Sequence, residues 1–370
     1  MRRRRLRRAR RVLGLPQGAA VKPVGVAVVG CGTISHQYLT TLAARPEVRL
    51  IACADLDVER AAKVALDHAV PVHGDLATAL AHPEVELVVN LTIPSAHAPV
   101  ALAAIRAGKH VYTEKPFAAT PAEAAEVLAE AEAAGVLTGG APDTFLGAGL
   151  QTAARVVSEG MIGRPLSAIV LLQGPGPHRW HPDPEFLFGP GGGPLFDMGP
   201  YYLTALAVMF GSVRRVTALA CKGFAERVIG QGPRAGQAFP VEVDTHVTAL
   251  LEYAGGQVAT VVFSFDSPLS RQGFFEITGT EATLAAPDPN KFIGPVQIRR
   301  AGDPEWTDVP VPQADDGRGI GVCDLARAIR TGERHRASGE LAAHVVDVMT
   351  AIQESAERSA ISELPRTWEL

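Results

Sequence analysis

The chain has 370 residues, 47% of them hydrophobic, and a formal net charge of −4. That length has room for two domains with proper cores, and the mildly acidic balance argues against nucleic acid as a main partner. Four scattered cysteines, Cys31, Cys53, Cys221 and Cys323, form no disulfide framework and fit a reducing, cytoplasmic setting. No run of about 18 uninterrupted apolar residues calls for a membrane span.

The first eleven residues carry eight arginines, and residues 1–21 read as a disordered basic tail. No apolar stretch follows before residue 24, so the twin arginines do not read as an export signal. Val24–Val29 is a β-branched apolar run suited to a strand buried on both faces, leading through Gly30-Cys31-Gly32-Thr33-Ile34-Ser35 into a helix over residues 36–44. Gly30 permits the tight turn, and Gly32 lets the backbone of Thr33 and Ile34 approach a pyrophosphate at the helix N-terminus. Ser35 stands where the usual fingerprint has a third glycine, which loosens the helix–strand contact. A second strand ends at Asp55, where a carboxylate can accept hydrogen bonds from ribose hydroxyls and repel a 2′-phosphate, so NAD is expected over NADP. Asp55 can equally cap the helix starting near Val58.

Strands over 87–91 and 110–115 alternate with helices over about 94–107 and 121–134, the latter opened by the capping box Thr120-Pro121-Ala122-Glu123 and stopped at Gly135. Alternation of this kind implies a parallel sheet, hence an α/β Rossmann domain over residues 22–142. Glu114-Lys115-Pro116 falls at a strand end, where such sheets open onto the ligand crevice, so Lys115 is placed to act on a substrate hydroxyl or carbonyl.

Past Pro142 the pattern changes to a helix over 147–159, a strand over 166–172, a long hairpin over 243–265, further strands over 274–278 and 282–285, and closing helices over 320–330 and 340–359. Residues 143–370 therefore read as an α+β domain around a largely antiparallel open sheet, serving substrate binding and oligomerisation. A helix over 200–210 follows Gly191-Gly192-Gly193-Pro194-Leu195-Phe196-Asp197-Met198-Gly199-Pro200. Asp197 and Tyr201, four apart, can share one side of its start, where the helix dipole favours an ionised Asp197 and eases deprotonation of Tyr201. Equally, Asp197 can cap the helix and Tyr201 pack in the core.

In order and spacing, Gly30-Cys31-Gly32, Asp55, Glu114-Lys115-Pro116 and Gly192-Gly193…Asp197…Tyr201 resemble the Gfo/Idh/MocA oxidoreductases, the group of glucose–fructose oxidoreductase and inositol 2-dehydrogenase. The resemblance spans residues 24–360. It implies that Lys115 is the catalytic lysine, that Asp197 orients lysine or substrate, and that Asn90, Thr92 and Pro94 contact the nicotinamide half of the cofactor, ordinary turn chemistry being the alternative for these three. Many members carry histidine at the position of Tyr201, while other members use tyrosine there as the general acid/base; this chain carries Gly-Pro-Tyr-Tyr over residues 199–202.

Hydride exchange between a secondary alcohol and nicotinamide needs a group that takes and returns the hydroxyl proton. The expected assignment is Tyr201 as proton carrier, favoured as tyrosinate by a cationic nicotinamide and a cationic Lys115, with Asp197 as orienter; the roles of Lys115 and Tyr201 can also be exchanged. Glu114 is expected to position cofactor or backbone. His97, opening its helix, either meets the cofactor or faces solvent. In His178-Arg179-Trp180-His181, Trp180 is expected to stack on a sugar face and His181 to bond hydroxyls, with no metal; His344 reads as a core histidine. The leading function is an NAD(P)-dependent dehydrogenase or reductase of a sugar, cyclitol or related polyol, as a homodimer or homotetramer. The alternatives are a redox-neutral NAD-dependent glycoside hydrolase or epimerase, and a non-catalytic dinucleotide-dependent sensor.

Overall fold

A computed structural model describes residues 22–314, 316–364 and 368; the arginine-rich tail expected over residues 1–21 lies outside the described residues. The chain begins with β1 (Val24–Val29), α1 (Ser35–Ala43), β2 (Val48–Ala54), α2 (Val58–Asp67), β3 (Val72–Gly74), α3 (Leu76–Ala81), β4 (Leu87–Asn90), α4 (Pro94–Arg106), β5 (His110–Thr113), α5 (Pro121–Ala134) and β6 (Thr138–Gly140). Their six strands pair in parallel in the order β3-β2-β1-β4-β5-β6, the arrangement of a dinucleotide-binding sheet. All six residues of β1 are buried, as a central strand covered by helices on both faces requires. At α5 the Thr120 hydroxyl accepts from Glu123 N at 3.2 Å, while the Glu123 carboxylate reaches back to Ala119 N at 3.0 Å.

The second half runs through α6 (Ala148–Ser158), β7 (Pro165–Gln173), α7 (Gly193–Phe210), β8 (Val213–Cys221), β9 (Glu226–Val228), β10 (Ala238–Pro240), β11 (His246–Tyr253), β12 (Val258–Ser264), β13 (Arg271–Gly279), β14 (Ala282–Ala285), β15 (Val296–Arg300), β16 (Thr307–Val309), α8 (Ile320–Thr331), α9 (Gly339–Arg358) and β17 (Ser362–Glu363). Its nine-stranded sheet has the order β16-β15-β14-β13-β7-β12-β11-β8-β17, antiparallel except where β7 pairs with β12. One face is covered by α7 and α9 and buries Val170, Val261 and Phe263. The other leaves Leu219 and Leu250 exposed at 70% and 57%. His344 lies buried in α9 and its Nε2 accepts from Val213 N, a core position as expected.

α7 starts seven residues earlier than the sequence suggests. A first-turn proline is already supplied by Pro194, and Pro200 sits inside the helix, where its missing N–H costs one hydrogen bond. Asp197 and Tyr201 therefore occupy the second and third turns, beyond the reach of the N-terminal dipole, which fades within the first turn.

The last two helices return to the parallel sheet. α8 packs on β1 and β6, and Arg330 near its end forks onto both carboxylate oxygens of Glu86 at 2.7 and 2.6 Å. At the other end of α8, the fully buried Asp143 accepts from Gly319 N and Gly321 N at 2.7 and 3.1 Å. This carboxylate ties the chain leaving β6 to the loop that enters α8.

Burial raises the Asp143 pKa to about 6, against the pull of its two N–H donors and Arg318. The folded pKa exceeds the unfolded one, so the stabilising proton is fully held below about pH 4 and lost as pH rises through 6. Relative to Asp143→Asn, whose amide does not titrate, the parent should lose up to about 3 kcal/mol of unfolding free energy between about pH 4 and 7. Urea unfolding of both proteins across that range measures it, and parallel pH profiles would refute it.

Candidate active site

The crevice at the carboxyl ends of β1, β2, β4 and β5 is built from its turns. Gly30 holds φ +96°, and a Cβ there would meet the Leu91 carbonyl carbon at 2.6 Å, so only glycine fits the crossing of the two strand ends. At Gly32 a Cβ would meet nothing within 4 Å, and Gly32 and Thr33 are exposed with Ile34 half-buried at the start of α1. That open, glycine-walled helix N-terminus fits a pyrophosphate. Ser35 does not loosen the contact as its replacement of glycine suggests. It is fully buried, and its hydroxyl donates to Gly32 O at 2.7 Å, fastening the loop to its own helix.

Asp55 accepts from Cys31 N at 2.8 Å and from Asp57 N at 2.9 Å, which joins β2 to the glycine loop. The capping role falls to Asp57, whose side chain accepts from Arg60 N. Arg60 also stands 3.7 Å from Asp55.

Behind the crevice lies a buried polar scaffold. Asn90 donates to His97 O at 2.9 Å and accepts from the Thr92 hydroxyl at 2.6 Å, so its amide shapes the turn from within. His97 does not face solvent. It is 1% exposed, with Nδ1 2.6 Å from Pro116 O and Nε2 2.9 Å from Thr92 O, and it clamps the turn after β4 to the turn after β5. Its pKa is lowered by burial, opposed by the two carbonyls. Pro94 lies exposed at the start of α4 beside Ile93, on the open side. Glu114 is buried, accepting from the Tyr38 hydroxyl at 2.9 Å and from Lys115 N at 2.7 Å, so it holds the backbone that presents the lysine.

Lys115 crosses from the parallel sheet to α7. Its Nζ donates to both Oδ1 and the carbonyl oxygen of Asp197, each at 2.8 Å, with the two side chains 19% and 24% exposed. The Tyr201 ring centre is 5.5 Å from the same Nζ. Burial opposes the charge on Lys115, but Asp197, Tyr201 and Glu114 outweigh it and hold the ammonium above its ordinary pKa. Tyr201 itself shifts upward: burial and nearby carboxylates exceed the pull of Lys115 and Arg318, so the lysine alone does not produce the tyrosinate expected from the sequence. The neighbouring Tyr202 is structural. It is fully buried against Phe263, and its hydroxyl accepts from Gly273 N at 3.0 Å.

Sequence reasoning passed over Arg318 and Asn290. The Arg318 guanidinium carbon lies 5.3 Å from the Tyr201 ring centre, and its Nη2 donates to Asn290 Oδ1 at 3.0 Å. A glycine on each side of a lone arginine, just ahead of α8, was the only available signal. Asn290, Asp197, Trp180, Gln272, Ser264 and Ser270 line a cavity of about 360 Å³ beside the lysine. Trp180 is 61% exposed there. His181 is not among the lining residues: its Nδ1 accepts from Asp183 N, and its ring packs between Trp180 and Phe186. A larger cavity of about 670 Å³, between α6 and the α8–α9 connection, contains none of these groups. Its greater size does not outweigh the clustered chemistry at the strand ends.

Comparison with known proteins agrees with this geometry. The model of the "Oxidoreductase family, NAD-binding Rossmann fold" matches residues 24–139, and that of the "GFO/IDH/MocA C-terminal domain" matches residues 150–285. D-xylose 1-dehydrogenase (NADP(+)) 2 of Haloferax volcanii is 28% identical over 344 residues, covering 91% of this chain and 98% of that protein. Trans-1,2-dihydrobenzene-1,2-diol dehydrogenase of Bos taurus is 27% identical over 294 residues, 78% of this chain and 80% of that protein. Among solved structures, levoglucosan dehydrogenase in complex with NADH and levoglucosan superposes with a TM-score of 0.80 over 93% of this chain and 99% of that one, at 23% identity, a likeness of fold. Both domains thus carry the family's signature, and the chain belongs to the Gfo/Idh/MocA oxidoreductases.

Proposed function

We propose that this protein is an NAD(P)-dependent dehydrogenase or reductase that exchanges a hydride with a secondary hydroxyl or carbonyl of a sugar, cyclitol or related polyol. The observation that carries this is the double hydrogen bond from Lys115 Nζ to Asp197, set beside Tyr201 at the mouth of the glycine-loop crevice. The names of the relatives, a xylose dehydrogenase, a dihydrodiol dehydrogenase and a levoglucosan dehydrogenase, support the substrate class. A dinucleotide would be held by Gly30, Gly32, Thr33, Ile34 and Asp55 along its pyrophosphate and ribose and by Thr92, Pro94 and Lys115 at its nicotinamide half, and would supply the hydride acceptor or donor. Asp197 holds the lysine ammonium in place, and the ammonium stabilises charge developing on the substrate oxygen. Tyr201 takes the hydroxyl proton in oxidation and returns it in reduction. Because burial raises the phenol's pKa, reduction is served at neutral pH and oxidation gains as pH rises. Trp180 offers its indole to a sugar face, with His181 bracing it from behind.

NAD is preferred because a 2′-phosphate would meet the Asp55 carboxylate; Arg60 beside it moderates that preference. The four cysteines are free, and the exposed Cys221 suits a reducing compartment such as the cytoplasm. Among the described residues no helix is long and apolar enough to cross a membrane. Copies associate through the open face of the large sheet, where Ile169, Leu219 and Leu250 stand uncovered.

Lys115→Met and Tyr201→Phe should each lower turnover by about 10²-fold or more while calorimetric NAD affinity stays within a few-fold. Near-normal turnover in either variant would remove that residue from the mechanism. Leu219→Arg with Leu250→Arg should convert the oligomer to monomer in light scattering; an unchanged mass would place the interface elsewhere.

A further inference from the structure

Four charged groups act on Tyr201: Lys115, Glu114, Arg318 and Asp197. Lys115 is bonded to Asp197, so at the phenol those two charges largely cancel, and Glu114 adds a negative one. Without Arg318 the set sums to −1, which opposes a phenolate; with it the set is neutral. Arg318 is also held in a way that suits this use. The buried Asp143 fixes Gly319 N at 2.7 Å, directly after the arginine, and Gly319 carries φ +110°. The hydrogen bond from Arg318 ends on a neutral amide rather than a carboxylate. Because a guanidinium only donates, the oxygen of Asn290 must face it, which leaves the Asn290 –NH2 as the donor presented to the cavity it lines.

We infer that Arg318 is a positioning residue of the reaction, the second cation that lessens the cost of a Tyr201 phenolate and the group that aims the Asn290 amide at the substrate oxygen. The inference rests on Tyr201 as proton carrier. It gives the loop before α8, far from the glycine loop and Lys115 in sequence, a direct part in acid–base chemistry. Asp197 then serves orientation with its charge offset by Lys115, while the charge of Glu114 is offset by Arg318 from the other side of the fold.

The test uses the full-length protein saturated with NAD and labelled for NMR at the Cζ carbon of its five tyrosines. Loss of one resonance in Tyr201→Phe identifies the signal, which is then followed from about pH 6 to 11. Tyr201 should ionise within that range in the parent, at a higher midpoint in Arg318→Gln, and close to the parent midpoint in Arg318→Lys. Arg318→Met provides a second neutral variant if glutamine disturbs the loop. A purely structural arginine would change thermal stability without moving the Tyr201 midpoint. An unmoved midpoint in a folded neutral variant overturns the role of Arg318 and leaves the proton carrier standing. A parent Tyr201 that stays protonated throughout overturns the proton-carrier reading, and the role of Arg318 with it.

Discussion

The Lys115–Asp197 contact is where the two halves of this protein become one site. Each half folds around its own sheet, yet the lysine reaches from the end of β5 to a helix that covers the second sheet, and it meets both a side-chain and a backbone oxygen there. A pair this close at partial burial is strong only when its geometry is fixed from both sides. On the parallel-sheet side, Glu114 grips the lysine's backbone and Tyr38 grips Glu114, while His97 clamps the adjoining turn. On the other side, α7 is buried between the sheet and α9. The remainder of the fold can be understood as the means by which these two anchors keep their spacing.

That spacing is reinforced at a second point by α8. Arg330 on Glu86 and Asp143 on the Gly319–Gly321 backbone bring the C-terminal helices back onto the parallel sheet. The same connection delivers Arg318 to the ring of Tyr201. Chain connectivity thus places one cation beside the phenol from β5 and another from the loop before α8.

Much of this was legible in the sequence because it depends on local rules. The Gly30-Cys31-Gly32 turn, the Thr120 capping box and the strand delivering Lys115 are set by backbone needs that neighbouring residues announce. What escaped depends on distant partners. Pro200 looked like a helix start because an interior proline is costly, and only the tertiary burial of Leu195 and Leu203 reveals why the helix begins at Gly193. The three-residue strands at 72–74, 226–228 and 307–309 are too short to show a periodicity that would declare them. His97 at the opening of a helix resembles a solvent or ligand contact until Pro116, 19 residues away, closes over it. Arg318 was marked only by the glycines on either side of it, and its partner Asn290 lies 28 residues away.

Every residue role at this site depends on hydride exchange taking place there. The most direct measurement is the absorbance of reduced nicotinamide during steady-state incubation with NAD and, separately, NADP, across monosaccharides, glycosides, inositols and anhydrosugars. Net reduction with at least one polyol, faster with NAD than with NADP, is the predicted result. No net reduction with any of them, while NAD stays bound to the purified protein, would contradict it and point to redox-neutral chemistry or to sensing.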